Sequence, residues 1–372
     1  MTTEPDCVCI FAPNWLGDAV MALPAIADVR QHFARSRFVV AARSSVASLF
    51  DLVPGIDAVV TLKWRARPFA ARILREDIVA LHRSCDPDAR NAGGSGSGVA
   101  LMLPNSFATA WLASRARFVE RWGYATDWRH RLLTRPVRVP RAPAHHGRYY
   151  QQLTESLGVA PGPLEPRVDV PDALRQQARE QLGDAGWDGR QILVAMAPGA
   201  AYGTAKRWLP RYFAEVIASL GRDLAVRTVL VGSAGDAEAI RMILQHESAR
   251  AAQPIDMVGL TSLHGLAGVL ATSAACLSND SGAMHLAGAV GTPLVALFGP
   301  TRETETAPLT RANGYRDVLL NPVWCRPCML RECPIDHRCM KGLMPASVLA
   351  SLERALARAD SANQPHPTRR DA

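Results

Sequence analysis

The sequence predicts an α/β protein made of two doubly wound domains that face one another across a cleft. Three observations carry this prediction. Short apolar runs rich in β-branched residues alternate with helical stretches in both halves of the chain, the pattern of a parallel sheet covered on both faces. The 372 residues suffice for two domains at the usual ~100–200 residues each. A Pro-rich stretch, Val159-Ala160-Pro161-Gly162-Pro163-Leu164-Glu165-Pro166, separates the halves. The expected division is therefore 1–165 and 166–345, with 346–372 as a terminal helix and tail.

In the first half, an apolar run from Val8 to Ala12 ends at Pro13 and leads into a helical stretch over roughly residues 19–33. Strand candidates follow from Arg37 to Ala41, from Ala58 to Leu62 and from Val99 to Leu103, with a basic helical segment from Arg67 to Arg83 between the last two. Asn91 to Gly98 has linker composition but interrupts an alternation that continues beyond it, so it reads as a surface insertion within one domain. The second half repeats the pattern. Strand candidates run from Ile192 to Ala197, Val226 to Val231, Ala275 to Ser278 and Leu294 to Phe298. Helical stretches cover about 210–220, 236–245, 263–272, 282–290 and 345–359, and a polar, Pro-containing tail closes the chain. In such sheets, ligands bind beyond the carboxyl ends of the strands.

Composition narrows the function classes. Hydrophobic residues make up 48% and charged residues 20%, which excludes a disordered or fibrous chain. The formal charge of +8 points to an anionic partner and says nothing about fold. No apolar run approaches the ~18–20 residues of a membrane span. An acid also stands in MTTEPDCVCI where a secretion signal has a basic segment, so a cytoplasmic location is expected. A chain this long buries its own core, so its eight cysteines are not read as a disulfide scaffold. Four of them, Cys325, Cys328, Cys333 and Cys339, cluster with His337. In a reducing compartment such a cluster reads as a metal clasp or a redox-labile patch. The x4 and x5 gaps are looser than two tight knuckles, so no metal is expected, with a structural zinc as the alternative.

Several stretches carry candidate chemistry. Pro13-Asn14-Trp15-Leu16-Gly17-Asp18 follows the first strand. Asp18 at that rim is either a general base or a helix cap. The stretch holds no G-x-G-x-x-G, so the dinucleotide fingerprint is absent. The loop Pro198 to Trp208 contains two glycines, Thr204, Lys206 and Arg207, a set suited to phosphate or to a solvated basic turn. Ser278-Asn279-Asp280-Ser281-Gly282-Ala283-Met284-His285 runs a strand into a helix with small residues at the junction, so amides at Ser281, Gly282 and Ala283 favour an anion. Asp280 is a competing cap for the same amides, and His285 lies one turn in. Asp236 and Glu238 open another helix where a ribose diol would be received. Asp86-Pro87-Asp88 resembles a metal-binding D-x-D but follows no strand and is set aside. Nine arginines between Arg115 and Arg148, interleaved with Trp122, Tyr124 and Trp128, suit nucleic acid, an anionic lipid face or a solvated surface.

Together these stretches resemble glycosyltransferase family 9, the ADP-heptose:lipopolysaccharide heptosyltransferases, and within it the members that add the second heptose. The carrying segments are Asn14 to Asp18, Leu103-Pro104-Asn105-Ser106-Phe107, Arg121-Trp122-Gly123-Tyr124, Pro198-Gly199-Ala200 through Lys206-Arg207-Trp208, Asn279 to Ala287, and Leu297-Phe298-Gly299-Pro300-Thr301. The resemblance implies a GT-B fold with a last helix crossing back toward the first domain. It implies inverting transfer of heptose from ADP-heptose to the first heptose of the inner core of a Kdo2-lipid A acceptor. Asp18 is then the general base and Lys206 the phosphate ligand. Thr204, Asp280, Ser281, Gly282, Ala283, His285 and either Asp236 or Glu238 bind the donor. Asn14, Trp15 and the arginines Arg67, Arg72, Arg75, Arg121 and Arg129 are candidates for the acceptor. The resemblance further implies catalysis without a cofactor or bound metal, no nucleic-acid partner, a monomer, and peripheral contact with the cytoplasmic face of the inner membrane. The cysteine cluster also resembles a C-terminal pattern of the family. The competing expectations are a first-heptose enzyme acting on Kdo and a non-catalytic nucleotide-sugar sensor.

Overall fold

The structure, a computed structural model, describes residues 4–64, 71–86, 98–224 and 226–363. Arg67, most of the Gly/Ser insertion, and Pro87 and Asp88 of the D-x-D stretch lie outside the described residues. The chain divides into two compact units, Met1–Asp169 and Val170–Ala372. The Asp169 amide donates to Leu52 O at 2.8 Å, which holds the end of the Pro-rich stretch to the first unit.

The first unit is a six-stranded parallel sheet of β1 (Cys7–Phe11), β2 (Arg37–Arg43), β3 (Ala58–Leu62), β4 (Val99–Met102), β5 (Glu120–Tyr124) and β6 (Arg135–Val137). Its order is β3-β2-β1-β4-β5-β6, that of a Rossmann sheet. The second unit repeats this with β7 (Ile192–Ala197), β8 (Val226–Leu230), β9 (Ile255–Asp256), β10 (Ala275–Asn279), β11 (Leu294–Phe298) and β12 (Arg316–Leu320), in the order β12-β11-β10-β7-β8-β9. Read from β7, this is the same winding. Central strands β1, β4, β10 and β11 are buried at every position, which is why β1, β4 and β11 read as unbroken apolar runs without alternation. The doubly wound α/β expectation holds for both units.

The two sheets reverse direction between β1 and β4 and between β7 and β10. At such switch points the flanking loops diverge and leave room for a ligand at the carboxyl end. The loops after β1 and β4 carry Asn14 to Asp18 and Leu103 to Phe107. Those after β7 and β10 carry the Lys206 loop and Asp280 to Ala283.

The helices match their sequence patterns closely where apolar spacing is strong: Leu263–Thr272 and Gly282–Val290 fall where expected. The expected helix over roughly 19–33 begins earlier and breaks at Ala22 into Leu16–Met21 and Leu23–His32, with Pro24 in the first turn of the second. Proline lacks the N–H that would continue the ladder, so a new helix start is its natural place. The last helix, Pro345–Asn363, buries Val348, Leu352 and Ala355 in the core of the second unit.

Trp208 is the largest side chain of that core. It packs against Phe213 with ring centroids 5.0 Å apart, and its indole N–H donates to Leu343 O at 2.9 Å. Trp208→Ala is expected to destabilise the second unit by about 3–5 kcal/mol, read as a lower urea midpoint for that unit while the first unit's transition stays in place.

Candidate functional site

In the second unit the site is built from the end of β10. The Asn279 side chain donates from Nδ2 to Pro198 O (2.7 Å) and accepts at Oδ1 from the Trp208 amide (3.1 Å), so one buried amide clamps both ends of the loop after β7. The next residue, Asp280, is 5% exposed. Its Oδ2 accepts from Lys206 Nζ and from Thr301 Oγ1, each at 2.6 Å. A buried carboxylate needs such partners, because burial without them costs several kcal/mol. Asp280 is thus not the cap of the following helix. Ser281 is, its Oγ accepting from the Met284 amide at 3.5 Å. The first-turn amides of Gly282 and Ala283 have no acceptor within their own helix, and the positive end of the helix dipole lies with them.

The two candidate ribose carboxylates have different fates. Asp236 accepts from Ser233 N (3.0 Å) and Ser233 Oγ (2.8 Å) in a capping box, with Arg207 at 3.8 Å. A Cβ on Gly199 would stand 2.2 Å from the Asp236 carboxyl, so glycine is required where the loop passes it. Glu238 is exposed and lines a cavity of about 260 Å³ with Thr204, Arg207 and Trp208. His285 is buried at 3% exposure on the inner side of its helix.

In the first unit, Trp15 occupies the N-cap position of helix Leu16–Met21 and makes no side-chain cap bond. Asp18, in the first turn, leaves the helix end and turns to His146, with Oδ1 3.3 Å from Nδ1. An ionised carboxylate only accepts, so Nδ1 carries the proton in this pair. The Asp18 side chain is 29% exposed. His146 opens helix His146–Glu155, which is capped by His145 Nδ1 accepting from the Gly147 amide at 3.1 Å. One turn further, burial and the Asp18 charge push the Tyr150 phenol well above its usual range.

Arg129 is buried away from any acceptor substrate, and Arg121, half-buried, is bonded to backbone carbonyls. Arg129 is fully buried. Its guanidinium donates to Tyr124 O at 2.8 Å, to the Pro104 carbonyl, and to Asn105 Oδ1 at 3.4 Å. Burial pushes its pKa down to about 10. Arg121 donates to the Leu132 and Phe118 carbonyls. The five donors of a guanidinium satisfy several carbonyls at once, and these two do so in the turns that flank β4 and β5. The Arg129 contacts continue outward, since Asn105 Nδ2 donates to Tyr149 Oη at 2.8 Å, on the helix that His146 opens. Trp15 is 66% exposed. Asn14 lines a cavity of about 40 Å³ with Arg43, Trp64, Ser106 and Thr109. Arg72 and Arg75 are exposed on helix Ala71–Cys85.

These segments can now be compared with known proteins. The profile of glycosyltransferase family 9 (heptosyltransferase) matches residues 94–338, more than half of the chain. The chain belongs to glycosyltransferase family 9. The lipooligosaccharide heptosyltransferase 2 of Campylobacter jejuni is 26% identical over 356 residues, covering 93% of this chain and 98% of that protein. The lipopolysaccharide heptosyltransferase 2 of Escherichia coli K12 is 27% identical over 312 residues, covering 82% and 85%. The solved structure of E. coli ADP-heptose lipopolysaccharide heptosyltransferase II superposes with a TM-score of 0.78 at 24% identity, covering 95% of this chain and 99% of that one. The fold is thus the GT-B pair of Rossmann-like domains, and the protein is a glycosyltransferase.

For this family 9 enzyme, the structure gathers Lys206, Asp280, Ser281, Gly282 and Ala283 at one switch point, with Thr204 and Glu238 on the cavity beside them. It gathers Asn14, Trp15 and Asp18 at the other. It does not bring Arg129 or Asp236 to an open surface, and it leaves Arg121 half-buried. Sequence reasoning assigned no role to His146, Asn279 or Thr301. The signal for Asn279 and Thr301 was their place inside carrying segments, whereas His146 had only its position beside His145 at a helix start.

Arg129→Ala is expected to lower stability by about 2–4 kcal/mol, because it strands buried carbonyls. Arg75→Ala is expected to change it by less than about 0.5 kcal/mol. Thermal unfolding of the two variants distinguishes a scaffold arginine from a surface one.

Proposed function

We propose that this glycosyltransferase transfers heptose, with inversion, from ADP-heptose to the first heptose of the lipopolysaccharide inner core. The relatives named heptosyltransferase 2, matched along most of their length, support the substrate pair. The observation that carries the mechanism is Asp18: its carboxylate does not cap its own helix, stays partly exposed at the β1 switch point, and is oriented by His146. Asp18 takes the proton from an acceptor heptose hydroxyl as that oxygen bonds to the anomeric carbon. The bond from that carbon to the ADP oxygen breaks, and the electron pair leaves with ADP. Lys206 and the amides of Gly282 and Ala283 stabilise the charge on the departing diphosphate, so the step needs no divalent ion. Glu238, rather than the capping Asp236, receives the donor ribose.

Among the described residues no helix is long and apolar enough to cross a membrane. We place the enzyme on the cytoplasmic face of the inner membrane, held by exposed arginines such as Arg72 and Arg75 and by Trp128, which is 86% exposed. On this reading, raising salt raises the KM for a lipid acceptor while leaving the donor KM less affected, since surface attraction falls off within a Debye length of about 8–10 Å. An acceptor KM independent of salt from 50 to 500 mM, roughly a threefold change in Debye length, contradicts the membrane contact.

The reaction is tested by ADP release with ADP-heptose and a Kdo2-heptosyl lipid A acceptor. Asp18→Asn is expected to lose about 10²–10⁴-fold in kcat. His146→Ala is expected to lose about 10–100-fold in kcat with donor KM unchanged, as befits a residue that aims the base. Turnover only on an acceptor lacking the first heptose would make this a first-heptose enzyme. Silence with both acceptors would favour a nucleotide-sugar sensor.

A further inference from the structure

The donor and acceptor chemistry leaves the C-terminal cysteine segment unused. Residues 321–337, between β12 and the short helix Arg338–Lys341, contain no helix or strand. That exceeds the ~12–15 residues a compact domain ordinarily leaves without secondary structure, so something other than a backbone ladder must hold the segment. Its three thiols and that of Cys339, on the helix that follows, are free, and all four line one small cavity of about 20 Å³. A site of that size takes one water or one ion.

We infer that Cys325, Cys328, Cys333 and Cys339 bind a single thiophilic metal ion, zinc or ferrous iron, and that this ion holds the loop carrying Lys206. The other candidate donors at the cavity already have partners. His337 Nε2 lies 2.7 Å from Ala205 O; a carbonyl only accepts, so this nitrogen carries the proton and only Nδ1 is left as an acceptor. Asp336 accepts from the Arg338 amide and from its Nε, at 3.2 and 2.9 Å. The four sulfurs by themselves make up the donor set of a structural zinc or a rubredoxin-like iron. The His337 amide donates to Cys333 Sγ at 3.3 Å, and the Arg338 charge lies within electrostatic range of Cys325 and Cys333. Among the described residues no three metal-ligating side chains already form a closed group, so binding draws the sulfurs inward around the cavity.

The segment is tied directly to the donor loop. The Ala205 amide donates to Arg331 O at 2.9 Å, and Tyr202 Oη donates to Met329 O at 2.9 Å. A Cβ on Gly203 would stand 2.3 Å from Arg331 O. Arg326 donates to Gly299 O at 2.7 Å and Thr301 O at 3.0 Å, and Thr301 is the second partner of Asp280. A folded cysteine segment thus supports both neighbours of the Lys206–Asp280 pair. This coupling rests on the proposed role of Lys206; the metal site does not.

Elemental analysis of the full chain, purified in reductant without added metal, tests the site independently of activity. About one equivalent of zinc or iron per chain is expected, falling below about 0.1 in Cys325→Ser/Cys328→Ser and unchanged in Cys276→Ser. Which element is found, and whether the iron form absorbs visible light, separates the two ions. Because the double variant risks misfolding, wild type stripped by chelator and returned to zinc alone provides a second readout. Peptide mass spectrometry should show Cys325, Cys328 and Cys333 protected from iodoacetamide by zinc, and ADP affinity recovered by about tenfold. Wild type that takes up less than about 0.1 equivalent after zinc addition, disulfides among the four cysteines in reductant, or metal retained by the double variant would overturn the site. Zinc uptake without change in ADP affinity would overturn the coupling.

Discussion

The second unit of this enzyme depends on satisfying one buried carboxylate. Asp280 ends the central strand of the second sheet where burial leaves it 5% exposed, and an unpaired charge there would be prohibitive. Lys206 from the loop after β7 and Thr301 from the loop after β11 both converge on the same oxygen. Together with the Asn279 amide, they tie the carboxyl ends of three adjacent strands into one unit. The Lys206 ammonium is therefore held in place by the fold itself. In the proposed role it meets the donor phosphates without first having to be ordered, a saving in side-chain entropy that favours preorganised sites.

The first unit uses the same logic with a different residue. Arg129 is buried because its guanidinium can serve several orphan carbonyls at once, and those carbonyls belong to the strand ends around the β4 loop. From there, contacts pass through Asn105 and Tyr149 to the helix that His146 begins. His146 in turn orients Asp18. The arginine expected to grip a substrate instead belongs to the frame that leads to Asp18, the proposed base. A long, charged residue in a basic stretch gives no sequence clue to which of these it does, because both roles want the same forked donor set.

The strands seen in the sequence include those buried on both faces, where an apolar run is the pattern consistent with burial. β5, β6, the two-residue β9 and the edge strand β12 went unread. β5 is Glu-Arg-Trp-Gly-Tyr, and its charged residues are tolerated because Arg121 reaches carbonyls and Trp122 Nε1 donates to Glu120 at 2.5 Å. β6 is an edge strand that contains Pro136, which an edge allows and a central strand does not. The cysteine segment was visible as a cluster, but its spacing alone did not reveal that the four thiols share one cavity.

The sequence by itself determined the doubly wound sheets, the family, and the loops that carry Asp18, Lys206 and Asp280. All of these follow from local periodicity and from short segments whose small residues admit a phosphate or a tight turn. Only the tertiary structure decided which acid serves which end. Asp18 leaves its helix for His146, 128 positions away in the chain. Asp280 pairs with Lys206 and yields the cap to Ser281, and Asp236 is consumed by a capping box while Glu238 stays on a cavity wall. Each choice is made by what burial leaves unpaired nearby, and a carboxylate's partners come from elements far apart in sequence, where no spacing rule reaches.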